Sequence, residues 1–217
     1  IQSKYKFNSN DVLFLKRDMK LSSSKKTTIE DKNNSLYELD NFNYEINNEF
    51  LKGKNVNIIE NSNLSENEIS KYYFESGFFD LKNKDFKTTD TKVSLKKNIF
   101  DRTDNDPRLY GVSSDHKNGI TTIKKAVFTS CKKTDSCPPW SIQAEEIKHD
   151  RDKKQMNYKK AFLKVYDIPV LYFPKFFHPD PTVERQSGLL KPTLNNSDIL
   201  GSSVTLPYFR AISNNKD

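Results

Sequence analysis

The chain has 217 residues, with 36 basic against 29 acidic, a net charge of +7 and 34% apolar residues. That length admits one large domain or two small ones, either with a real core. Two cysteines are too few for a disulfide scaffold, and the lack of any run of about 18 apolar residues excludes a membrane-spanning helix but not membrane strands of ~9–11 residues. Phe and Tyr, 15 and 10 in number, carry much of the apolar content. Together with abundant Thr, Asn and Lys they disfavour helices and suit strands and turns. The basic residues are scattered, which fits a solvated surface; the functional alternative is attraction to an anionic partner. The chain begins at Ile1 rather than Met and reads as a processed or trimmed chain without a signal peptide.

Val12, Leu13, Phe14 and Leu15 form one short apolar run, a strand, and residues 22–28 are a loop. Residues 36–59 form a unit: Phe42, Tyr44 and Ile46 share a face, Asn47 and Asn48 make a turn, and Leu51, Gly53 and Val56 begin the return. An offset copy follows about 35 residues later, at 73–95, where Leu81 takes the place of Ile46 and Phe86 that of Leu51. A weaker third copy spans 147–165, with HDRDKK as its turn. Short strands repeated around Asn, Asp, Lys and Gly turns predict a stacked or rolled β structure. Residues 62–76 have room for one or two helical turns. Residues 99–119 are polar and breaker-rich, and read as a long surface connection or as two short strands around 108–112.

The last third is the most informative. Trp140, Ile142 and Ala144 alternate with Ser141, Gln143 and Glu145, as in a half-buried strand, and Ala161, Leu163 and Val165 mark a second one. Residues 168–177 are almost wholly apolar or aromatic but carry Pro169 and Pro174, with Pro179 and Pro181 just beyond. Prolines at this density exclude a helix and the centre of a sheet. They predict an extended strap kept from pairing along its length, with Tyr172, Phe173, Phe176 and Phe177 in need of cover. Residues 187–208 return to alternation, with Val204, Leu206 and Tyr208 on one face and a polar turn at 195–198. The expected division is residues 1–177 as one β domain and 178–217 as a linker and hairpin. Two strands cannot close a barrel, so membrane strands here imply further chain.

Nothing points to catalysis. There is no G-x-S-x-G, P-loop, H-E-x-x-H or dinucleotide fingerprint. His116, His149 and His178 are scattered, and Asp150 beside His149 reads as turn chemistry. No enzyme activity and no cofactor are expected. Cys131 and Cys137 can bond each other, or bind metal with His149, although that set lacks a fourth ligand.

The segments CPPWSIQA, DIPVLYFPKFFHPDP, RQSGLLKP and GSSVTLPYF, in order over residues 131–217, resemble the outer-membrane lipopolysaccharide-assembly (LptD/OstA) family; residues 106–114 and 124–131 resemble it too. The resemblance implies an all-β chain. An OstA-type β-jellyroll of stacked antiparallel strands, periplasmic, would fill residues 1–177, and the first strands of an outer-membrane β-barrel would follow in 178–217. It implies lipopolysaccharide transport: a V-shaped pair of sheets shields the acyl chains of lipid A and passes them to the barrel. The inward candidates are Phe42, Tyr44, Ile46, Phe79, Leu81, Phe86, Val93, Leu95, Ile123, Val127, Trp140, Ile142, Leu163 and Val165. The strap Pro169, Tyr172, Phe173, Pro174, Phe176 and Phe177 would form the domain junction. Implied partners are an LptA-like bridge protein adding a strand to an edge near Val12–Leu15, an LptE-like lipoprotein held by the barrel, and the outer membrane. Family members also bond cysteines between their two domains, a third option for Cys131 and Cys137. The rival reading is a basic β-rich module for nucleic acid or acidic glycan, supported by a pI near 9.1; the transport reading excludes nucleic acid.

Overall fold

The computed structural model describes residues 5–60, 62–65, 67–97, 106–132, 139–179, 187–190, 193–197, 199 and 201–212. These residues form strands joined by turns and loops. In order the strands are β1 (Tyr5–Ser9), β2 (Leu13–Leu15), β3 (Lys20–Ser23), β4 (Thr27–Asp31), β5 (Leu36–Leu39), β6 (Asn41–Glu45), β7 (Phe50–Ile59), β8 (Lys71–Asp80) and β9 (Asp85–Ser94). Then come β10 (Arg108–Lys117), β11 (Ile120–Thr129), β12 (Trp140–Asp150), β13 (Gln155–Val165), β14 (Ile168–Pro179), β15 (Gly188–Leu189), β16 (Thr193–Ser197), β17 (Gly201–Thr205) and β18 (Tyr208–Phe209). The first fourteen make one antiparallel sheet; β15 pairs with β18, and β16 with β17, apart from it.

From β7 to β14 the sheet is a meander in which each strand pairs with the next. Its regularity comes from a repeat. Asn55, Asp90, Lys125 and Lys160, every 35th residue, all have φ near +48° in mid-strand. A left-handed residue breaks the ladder and bends the strand. The pairing lapses at each of them: Lys54 pairs Ser76 and Val56 pairs Phe74, but Asn55 pairs nothing in the ladder. The same gap recurs at Lys125 and Glu145, and at Lys160 opposite Glu145 and Pro174. The gaps line up across the sheet, so every long strand turns a corner and the sheet folds into two arms.

The corner also explains the burial pattern. Asn55, Glu75, Asp90, Val112, Lys125, Glu145 and Lys160 are exposed on the outside of the fold. Residues two before and one after each left-handed position are buried: Gly53 and Val56, Thr88 and Thr91, Ile123 and Ala126, Tyr158 and Ala161. The inside of a corner has little room. A Cβ at Gly77 would run into the Phe79 ring, and one at Gly111 into the Ile123 Cγ2. At β7 the two arms part company. Ile59, Ile58 and Asn57 pair with β5, while Lys54 to Phe50 pair with β6. The sheet therefore ends at its N-terminal side in two branches, β1–β4–β5 and β2–β3–β6, joined by Ser9 Oγ and Ser23 Oγ at 3.2 Å, with Thr27 Oγ1 donating to the same Ser9 Oγ at 2.9 Å from within the first branch.

Three sequence expectations are corrected. Residues 108–117 are one ten-residue strand, β10, in the middle of the sheet, not a surface connection. The 35-residue spacing continues through it, so the copy at 147–165 is preceded by one that sequence periodicity did not show. No helical turn forms in the described part of 62–76; β8 starts at Lys71 after turns and a bend. The proline strap pairs with β13 from Val165–Ile168 to Gln155–Pro179, interrupted only at Val170 and Pro174. Prolines exclude a strand only where both sides need donors, and β14 lies at the sheet's edge.

Candidate functional site

The inner faces of the two arms carry the apolar residues, and they fall into two groups. One joins Ile29, Leu39, Phe42, Tyr44, Leu51, Val56, Phe74 and Phe79, with Ile46, Leu81 and Phe86 packed on it. Phe42 is 1% exposed, and Phe7 of β1 covers it and Tyr44, with ring centroids 5.8 and 5.5 Å away. Phe74, Phe79 and Phe86 form a ring triangle with centroids 6.0 to 6.1 Å apart. The other group joins Leu109, Ile123, Ala126, Phe128, Trp140, Ile142, Ala144, Ile147, Tyr158, Ala161 and Leu163, with Val93, Phe173, Phe176 and Leu206 packed on it. Tyr158 stacks on Phe176 at 4.4 Å and its hydroxyl lies 2.8 Å from His178 Nε2; burial pushes its phenol pKa well above the usual value.

Of the inward candidates, all but three fall within these groups. Leu95 and Val165 share the inward alternation but lie half-buried near strand ends. Val127 sits between buried Ala126 and Phe128, on the opposite face of β11. The left-handed Lys125 shifts the alternation by one there, a shift that a strict two-residue period does not anticipate. In β14, Phe173 and Phe176 turn inward and half-bury, whereas Pro169, Tyr172, Pro174 and Phe177 are exposed. The candidate docking strand, β2, pairs only with β3 among the described residues, and Leu13, Phe14 and Leu15 are exposed on it. Cys131 carries a free thiol 3.6 Å from the Trp140 carbonyl oxygen; Cys137 lies outside the described residues. Among the described residues no group of three His, Cys, Asp or Glu side chains is arranged to hold a metal.

Between the two apolar groups lies a polar waist that sequence patterning missed. Thr88, Thr91 and Ser114 are all buried. Thr91 Oγ1 donates to Ser114 Oγ at 2.9 Å, Thr88 Oγ1 lies 3.2 Å from Thr91 Oγ1, and Thr88 and Ser114 are also bonded. His116 stacks on Phe86 at 5.3 Å and its Nδ1 is 2.8 Å from Thr121 Oγ1. Burial, reinforced by Arg151, lowers its pKa below the ordinary 6.5. These residues occupy the inward positions that are apolar in the neighbouring copies: Thr88 and Thr91 stand where Ile123 and Ala126, or Tyr158 and Ala161, stand further on. With Gly111, Ser114 and His116 facing in along β10, hydrophobic periodicity fades there, and only the 35-residue spacing could have found the copy that follows the one at 73–95.

The fold and its lining define a class: a folded antiparallel sheet of β-jellyroll type with an aliphatic and aromatic interior. No family model matches the chain. Over 99 residues, 44% of the chain, it is 35% identical to the LPS-assembly protein LptD of Polaromonas sp.. It is 37% identical over 95 residues to that of Pseudoalteromonas translucida and 33% identical over 95 residues to that of Legionella pneumophila. The chain is thus a relative of the LptD proteins over nearly half its length, as the resemblance implied. It spans only 12%, 12% and 11% of the length of these three relatives.

Proposed function

We propose that this chain is the lipid-receiving jellyroll of an LPS-assembly protein at the outer membrane, with its two arms sheltering acyl chains. The observation that carries the reading is the two-armed apolar interior in a chain similar to LptD proteins. Burying a saturated chain against aliphatic and aromatic side chains removes its surface from water at about 25 cal/mol per Å². A sugar-phosphate head stays outside, where the surface is basic. Leu81, Phe86, Val93, Leu95 and Val165 are only half-buried, and are the residues the chains meet first as the arms part. No reaction and no cofactor are required. A periplasmic bridge protein of LptA type adds its strand at the N-terminal branches, and β14 leads by residues 178–217 to the barrel, which holds a lipoprotein of LptE type.

Site-specific photo-crosslinking tests this. The probe is placed at Phe79, Leu81 and Ile142, with exposed Lys26 as an outside control, and labelled lipopolysaccharide is supplied. Labelling at the three inner positions and not at Lys26 is the expected result. Equal labelling everywhere, or none, would mean that the interior is a sealed core.

A further inference from the structure

β14 is the last strand of the large sheet, and among the described residues no strand pairs with its far side. It is long and its side chains are unusually exposed for their type, with Ile168 at 66% and Tyr172 at 50%. An edge of this kind is a template for another strand. Its backbone, however, is disarmed. Tyr166 and Asp167 both have positive φ, at 46° and 65°. They make a two-residue turn of the type that hydrogen-bonds its flanking residues, Val165 and Ile168, to each other. The Tyr166 N–H points the other way, to the Pro139 carbonyl at 3.1 Å.

Antiparallel ladders alternate. Carried through the pairs Leu163–Leu171 and Ala161–Phe173, the alternation turns Leu171 and Phe173 toward β13. Pro169, Tyr172 and Pro174 then face the outer rim, with Val170 as the extra residue at the register shift. Proline has no N–H. Between Ile168 and Lys175, Tyr172 is the one alternating rim position with a donor. Over this stretch, Ile168 to Pro174, an incoming strand would find no two successive donors and would bury unsatisfied carbonyls. The other end of the sheet is different: neither β1 nor β2 contains proline.

We propose that Pro169 and Pro174 close the C-terminal edge against strand addition, above all by β1 of a second copy of this chain. Strands then join the sheet only at its N-terminal end. A second copy is the relevant competitor because the contact from β14 to its β1 is head-to-tail. Such a contact does not close on itself and, repeated, builds a filament. The inference is independent of the lipid reading and concerns which end of the sheet grows.

The test compares the chain with its Pro169→Val, Pro174→Val variant by light scattering after gel filtration across a concentration series. Valine restores both donors and favours strands. Expected are a constant mass for the parent and, for the variant, a mass that at least doubles and climbs with concentration. Excess synthetic peptide of residues 3–11 should return the variant to the parent's mass by capping its new edge. The single variant Pro174→Val sits at a corner where β13 and β14 are already unpaired, so it perturbs folding least and carries the same test if the double variant does not fold. A variant whose mass matches the parent's at every concentration would overturn the proposal. So would association that the peptide leaves untouched, or a parent that already stacks.

Discussion

Gly111 offers the sharpest test of the corner. Replacing glycine by alanine in a strand ordinarily stabilises by ~0.4–1 kcal/mol, because the unfolded chain loses freedom. At Gly111 the added Cβ meets the Ile123 Cγ2 and lies 3.2 Å from the Lys124 carbonyl oxygen. The carbonyl is part of the β11 backbone, and Ile123 is buried and β-branched, with little choice of rotamer. Overpacking of this kind costs about 1–3 kcal/mol, so Gly111→Ala should destabilise by a net ~1–2 kcal/mol. Ile123→Ala alone should cost about 2–5 kcal/mol for the cavity it leaves. In the double variant the alanine at 111 no longer clashes, and the two costs should fall short of their sum by at least ~1 kcal/mol. Urea unfolding midpoints of the four proteins read this directly, with an unchanged denaturant slope confirming that the folded state keeps its extent. A neutral or stabilising Gly111→Ala, or strict additivity with Ile123→Ala, would refute the close approach at the corner.

Other consequences can be measured in the same assay. Lys125 is exposed and left-handed, a conformation that strains a non-glycine residue by ~1–2 kcal/mol, so Lys125→Gly should be neutral or mildly stabilising and Lys125→Val clearly destabilising; the reverse order would mean that no corner is needed there. In the waist, Ser114→Ala alone takes one partner from each of two buried hydroxyls and should cost about 1–3 kcal/mol, while the triple change Thr88→Val, Thr91→Val, Ser114→Ala should cost less than the single one. His116 has a lowered pKa in the fold, so the unfolded chain takes up its proton first as pH falls. Its contribution is therefore complete above the ordinary 6.5 and declines from there down to the folded value. The drop in melting temperature between pH 8 and 5 should shrink in His116→Asn, whose wild-type side chain faces the charges of Arg151, Asp85, Asp115 and His149; an unchanged drop would show that His116 is not the titrating group.

Much of the molecule is legible in the chain itself. Alternation places Phe42 and Tyr44, Trp140 and Ile142, and Ala161 and Leu163 on inner faces, because side-chain direction in a strand is a local property of the backbone. The about-35-residue offset between Ile46 and Leu81 already encodes the stacking of like units, and prolines 169 and 174 already keep their segment out of the centre of the sheet. Tertiary structure alone decided the rest. The corners depend on left-handed Asn55, Asp90, Lys125 and Lys160, residue types that are equally at home in ordinary exposed positions, so the phase shift that turns Val127 outward has no local mark. The central strand β10 hides because, apart from Leu109, its inward residues are Gly111, Ser114 and His116, and the burial of Ser114 and His116 is tolerated only once Thr88, Thr91, Thr121 and Phe86 arrive from neighbouring strands to bond or stack with them. Pairing across a sheet is a long-range choice: which side of β14 finds a partner, and which is left to its prolines, is settled by where the meander ends and not by the residues of the strand.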